Sequence, residues 1–153
     1  MSNYTKLMNN LEELKLERIK ENLDTYVDLV NSKEKDMVDA LYELTRLELQ
    51  LKEEKIIYGC VRTAGFPFQK RFEDYDFDFQ PSVNKEKILD FKNLRFIENQ
   101  ENIIFVGTPG VGKTHLAISI GIEAASNRNS TYFINCNDLI SNLKKANIEN
   151  RLM

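Results

Sequence analysis

Asn102-Ile-Ile-Phe-Val-Gly-Thr-Pro-Gly-Val-Gly-Lys-Thr-His115 decides how this chain is read. Ile103 to Val106 form an apolar, β-branched and aromatic run that predicts a buried strand. Gly107 to Thr114 spell G-x-x-x-x-G-K-T, and from Leu116 onward apolar residues recur at helical spacing. Strand, glycine loop and helix in that order are the context in which this spacing becomes a phosphate-binding loop.

The residue types follow from the chemistry. A polyphosphate needs several donors converging on it, and backbone N–H groups converge only where no Cβ blocks the approach. Gly107, Gly110 and Gly112 remove that obstacle and allow positive φ values, with Thr108, Pro109 and Val111 between them. The following helix adds unpaired N–H groups and the positive end of its dipole. Lys113 supplies a point charge for the β/γ-phosphates, and Thr114 a hydroxyl for Mg²⁺. His115, the only histidine, completes the predicted nucleotide-contacting set as a first-turn helix residue. With no ligand-spaced partner it gives no support for a metal site or a Ser–His–carboxylate arrangement, and no catalytic residue is assigned.

Working outward, Leu116, Ala117, Ile120 and Ala124 predict a helix over 113–126, and Asn127 to Ser130 predict a turn. Thr131 to Asn135 read as a second strand, and Asp138 as the cap of a helix carrying Leu139, Ile140 and Leu143. The βαβ order predicts a parallel sheet with a right-handed crossover. Upstream, Ser82 is a predicted cap for a helix over 83–97, with Ile88, Phe91, Leu94 or Arg95, and Ile97 facing inward. Between 72 and 79, aromatics at 72, 75, 77 and 79 partly alternate with carboxylates. They are either pinned against the domain or laid over a nucleotide base. From Tyr4 to Tyr58 there is neither Pro nor Gly, and leucine-rich stripes predict two or three packed helices. Ser32 is the predicted cap between the second and third, and Gly59 weakens or ends the last.

Composition narrows the classes. The chain has 153 residues, 42% of them hydrophobic and 29% charged, as in a globular protein, and no apolar run reaches membrane-spanning length. The opening MSNYTKLMNN lacks a basic segment followed by an apolar core, so no secretory signal is expected. Cys60 and Cys136 lack metal-type spacing and read as reduced, partly buried thiols, which predicts a cytoplasmic location. Residues 1–58 carry a net charge of −4 and the remainder +1, together the −3 of the chain. Charge therefore offers no support for nucleic-acid binding.

The chain resembles the IstB-like ATP-binding proteins, AAA+ helpers of insertion-sequence transposases and relatives of DnaC-type helicase loaders. The resemblance rests on Gly65-Phe-Pro67, Phe72-Glu-Asp-Tyr-Asp-Phe77 with Gln80-Pro81, Leu94-Arg-Phe-Ile-Glu98, Gly107 to Ala117, Thr131-Tyr-Phe133 and Asp138 to Leu143. It implies an α/β fold, with an N-terminal helical module (1–65), a linker or base-covering segment (66–82) and the first part of a P-loop AAA+ parallel-sheet domain (83–153). It further implies ATP with Mg²⁺, assembly on DNA, a transposase partner and a possible homo-oligomer; the alternative is a helicase-loader-like interaction protein in replication. The stretch from Lys55 to Arg71 is only sparsely basic where the family is strongly so. Neither predicted strand ends in Asp-Glu, and the chain stops before the family's Walker B strand. The expectation is thus a fragment that binds nucleotide without turning it over alone.

Overall fold

The computed structural model describes residues 2–79, 81, 83–149 and 151. The chain divides into two compact units, Met1–Ile56 and Ile57–Met153. The first is helical. Helix α1 (Asn3–Glu13) starts at Ser2, whose Oγ accepts from Thr5 N at 3.2 Å. Lys15, at φ +55°, turns the chain toward α2 (Glu17–Asn31).

Helix α2 has Leu16 at its N-cap, a side chain unable to cap. Its acceptor comes instead from α3 (Met37–Thr63): Glu48 Oε2 accepts from Arg18 N at 2.8 Å and Ile19 N at 3.3 Å. Glu48 is only 3% exposed and shares the interior with Leu11, Ala40 and Leu44. Ser32 is the C-cap of α2 rather than the cap of the third helix, because Lys33 takes a left-handed φ of +61° and breaks the chain there. Asp36 begins α3, accepting from Val38 N at 3.1 Å. Gly59 does not end α3; the helix runs through it to Thr63, and Gly65, at φ +72°, marks the stop.

In the second unit, α6 (Lys113–Ser126) is the organising element and buries both of its flanks. Ile118, Ile122 and Ala125 pack with Val61 and Ala64, joined by Phe66 and Phe133. Leu116 and Ile120 pack with Phe72, Tyr75 and Ile88, joined by Phe77, Phe91, Phe96, Ile103 and Phe105. The helix expected over 83–97 is broken into α4 (Lys85–Asp90), a 3₁₀ turn Phe91–Asn93 and α5 (Arg95–Glu98). Leu94 adopts a left-handed φ of +53°, which buries it while letting Phe91 and Phe96 meet edge to face. Asn84 caps α4; the expected Ser82 cap lies outside the described residues. Helix α7 (Cys136–Ile148) is capped by Asn135, whose Oδ1 accepts from Asp138 N at 2.9 Å, so Asp138 is a first-turn residue and not the cap. Of the two cysteines, Cys60 is half-buried, but Cys136 is exposed.

The expected α/β class is not what the structure shows. Among the described residues there is no strand and no parallel sheet, so the predicted βαβ crossover does not form. A strand exists only through a ladder to a neighbour about 4.8 Å away. The stretches 103–106 and 131–135 do not pair with each other. A cavity of about 630 Å³ lies between them, lined by Ile103 and Phe105 on one side and Thr131 and Tyr132 on the other. Phe133 N donates instead to Ala64 O at 2.8 Å. Their apolar character belongs partly to core packing, through Ile103, Phe105 and Phe133, while Ile104 and Val106 stand 82% and 91% exposed.

Candidate functional site

The loop from Gly107 to Gly112 leads directly into α6. Gly110 (φ +87°) and Gly112 (φ +85°) both occupy the left-handed region, where side chains are disfavoured. Gly112 is the N-cap of α6, and its carbonyl accepts the first helical bond, from Leu116 N at 3.0 Å. The N–H groups of the first turn of α6 therefore have no partner within the helix. Thr108 and Pro109 are exposed at the tip, and Gly107 lies beside the stem of Lys113, with room for a Cβ.

Lys113 folds back over this loop. Its ammonium donates to Gly107 O at 3.0 Å and to Thr108 O at 2.7 Å, which sets a full positive charge across the loop's mouth. Thr114, the next residue of α6, is exposed, so its hydroxyl is free to meet a ligand. A charge on a short tether, two left-handed glycines and a helix start converge on one place, an arrangement that attracts a multiply charged anion.

His115 does not stand with these groups. Its Nε2 pairs with Arg71 O at 3.0 Å, and its ring meets Tyr75 edge-on with centroids 5.3 Å apart. One turn later Ser119, 1% exposed, donates to Lys70 O at 3.1 Å and to His115 O at 3.0 Å. The 70–75 segment is thus tied along the N-terminal half of α6. Within it, Arg71 N donates to Asp74 Oδ2 at 2.8 Å, closing the turn that presents Phe72 and Tyr75 to the core.

The residue pattern of the aromatic stretch 72–79 allows two explanations, core packing or base covering, and the family resemblance favours the second. Phe72 and Tyr75 are buried in the core cluster, whereas Phe79 stands 74% exposed. Tyr75 also touches the glycine loop, its hydroxyl donating to Val111 O at 2.8 Å. That contact went unread because it joins residues 36 positions apart; the unusual aromatic content of the stretch was the only signal. The about 630 Å³ cavity lies away from the loop, and nothing comparable to the lysine–glycine arrangement converges on it. Among the described residues no helix is long and apolar enough to cross a membrane.

A family model described as IstB-like ATP binding protein matches residues 9–153. Over 151 residues the chain is 51% identical to a Bacillus thuringiensis subsp. berliner protein named as the ATP-binding protein of insertion sequence IS232, covering 99% of this chain and 60% of that relative. A protein of the same description from insertion sequence IS5376 of Geobacillus stearothermophilus is 41% identical over 112 residues, covering 73% of this chain and 45% of the relative. More distant is the replicative helicase loader DnaC of Buchnera aphidicola subsp. Acyrthosiphon pisum. It is 26% identical over 144 residues, covering 94% of this chain and 58% of the loader. The chain therefore spans between about 45% and 60% of the length of these relatives.

Proposed function

This chain belongs to the IstB-like ATP-binding protein family, and from that premise we propose that it serves an insertion sequence by binding ATP at Gly107 to Thr114. In this reading the loop amides and the first turn of α6 take the polyphosphate. Lys113, now held by the Gly107 and Thr108 carbonyls, would supply its charge to the β/γ-phosphates, and the Thr114 hydroxyl would be the ligand for Mg²⁺. The residues suit that ion and anion: a bare hydroxyl at the helix start, one ammonium, and no carboxylate among Gly107 to Thr114 to repel phosphate. The observation that carries the proposal is the convergence of the Lys113 ammonium with two left-handed glycines at the start of α6.

The partner in this reading is the transposase of the same insertion sequence. The higher identity to insertion-sequence proteins than to the helicase loader favours it over a replicative helicase. Thermal melting with added Mg·ATP tests the binding step. A ligand at a hundredfold excess over its Kd stabilises the folded state by about 2.7 kcal/mol. A rise in Tm with Mg·ATP that vanishes in Lys113→Ala is expected; an equal rise in both proteins contradicts the assignment.

A further inference from the structure

We propose that Tyr75 is a positioning residue of the phosphate loop: its hydroxyl fixes the direction of the Gly112 N–H, a donor that the bound polyphosphate uses. The inference deepens the nucleotide-binding reading above and rests on it.

The argument starts from peptide geometry. In a trans peptide the C=O of one residue and the N–H of the next point in opposite directions. The peptide between Val111 and Gly112 is of this kind, since the structure contains no cis bond among the described residues. Tyr75 Oη donates to Val111 O at 2.8 Å, so the carbonyl is held toward the tyrosine. The Gly112 N–H is therefore held away from it. In a loop with two left-handed glycines this peptide is otherwise easy to rotate, and rotation would replace a donor with a carbonyl in the face offered to an anion.

A second, independent observation places the ring as well as the hydroxyl. A Cβ built on Gly112 would lie 2.5 Å from Tyr75 Cε2 and 3.3 Å from Cζ. The glycine backbone thus lies against the Cε2 edge of the phenol, and the ring closes that side of the loop. Tyr75 is itself held on the other sides. It is 8% exposed, it packs edge-on with Phe77 at 4.8 Å and with His115 at 5.3 Å, and it belongs to the cluster of Phe72, Ile88, Leu116 and Ile120. The ring needs no hydroxyl to remain in that core. The hydroxyl's one described bond goes to the loop, so its contribution is directed at the loop and not at packing.

Tyr75→Phe separates the two roles, because it keeps the ring and removes only the bond to Val111 O. A neutral hydrogen bond contributes about 0.5–1.5 kcal/mol, which corresponds to a twofold to twelvefold change in an equilibrium constant. Fluorescence titration of the full chain with mant-labelled nucleotides, in Mg²⁺, is the direct assay. Tyr75→Phe is expected to bind Mg·mant-ATP and Mg·mant-ADP several-fold more weakly than the unaltered chain. Its Tm without nucleotide should fall by no more than the few degrees that one hydrogen bond is worth in a chain of this size, and its amides at 110–114 should exchange faster. Tyr75→Leu, which also removes the ring from Gly112, should lower both affinity and Tm.

Unchanged affinity and unchanged loop exchange in a folded Tyr75→Phe protein overturn the inference. So does an affinity loss in Tyr75→Phe that comes with a fall in Tm as large as that of Tyr75→Leu, since that is the signature of a packing role alone. If the unaltered chain itself fails to bind Mg·mant-ATP, the nucleotide-binding reading fails instead, and the exchange rates of the loop amides still report on Tyr75.

Discussion

Removing the Glu48 carboxylate should unfasten the start of α2. The carboxylate sits on α3, is 3% exposed, and takes two backbone donors of α2's first turn, from Arg18 and Ile19, at 2.8 and 3.3 Å. Leu16 offers no substitute cap. In Glu48→Ala both N–H groups lose their acceptor and the helix loses a negative charge at its positive end. Cap loss costs about 0.5–2 kcal/mol and the charge–dipole interaction about 0.3–1 kcal/mol, so a destabilisation of about 2 kcal/mol is expected. Glu48→Gln keeps a carbonyl acceptor and gives up the charge, and should cost roughly half as much. Urea unfolding followed by far-UV circular dichroism measures the size of the effect. Amide hydrogen exchange at Arg18 and Ile19 measures its place, and both amides should lose protection first. A cost below about 0.5 kcal/mol in Glu48→Ala, or unaltered protection of those two amides, refutes the reasoning.

Two further outcomes follow from neighbouring contacts. The ammonium of Lys35 and the hydroxyl of Tyr26 hold the Glu43 carboxyl below its usual pKa, and Lys35 is raised in turn. A depressed folded-state pKa stabilises the fold above the ordinary carboxylate value of about 4.3, and that stabilisation fades as pH falls through the lower folded value. The melting temperature should therefore fall less steeply between about pH 5 and 3 in Glu43→Gln than in the unaltered chain; parallel curves argue against the pairing. Gly112→Ala meets both a left-handed φ of +85° and the Tyr75 ring at 2.5 Å. It should cost at least 1–2 kcal/mol in urea unfolding and weaken nucleotide binding, and a neutral result would show that the loop rearranges freely.

What could be read from sequence was the local part. Helix α6 begins and ends where the glycine motif, the apolar spacing and Asn127 place it, because each signal sits within one turn of the feature it controls. The helical character of the first unit was equally legible from its leucine stripes. The missed features are non-local. The run at 103–106 has strand composition, but composition reports fitness for a half-buried surface, while a strand needs a partner supplied by another part of the chain. The break at Leu94 lets Phe91 and Phe96 both pack against one cluster while Leu94 itself is buried, which a straight helix cannot satisfy. Glu48 looked like one of many surface carboxylates on α3. Only folding shows that it caps an amide 30 residues away in sequence. At the candidate site, the loop and Lys113 are legible as a motif, whereas the Tyr75 hydroxyl that braces the loop, and the Ser119 bond that ties residue 70 to α6, are not.

The central claim is that glycine-exposed amides, the Lys113 ammonium and the start of α6 together hold a polyphosphate. Equilibrium dialysis of the purified chain against Mg·ATP, beside Lys113→Ala, tests this most directly. Saturable binding at one site per chain, weakened by tenfold or more in Lys113→Ala, is the predicted result. A folded chain that retains no Mg·ATP at millimolar concentrations, or that binds it equally well without Lys113, contradicts the account.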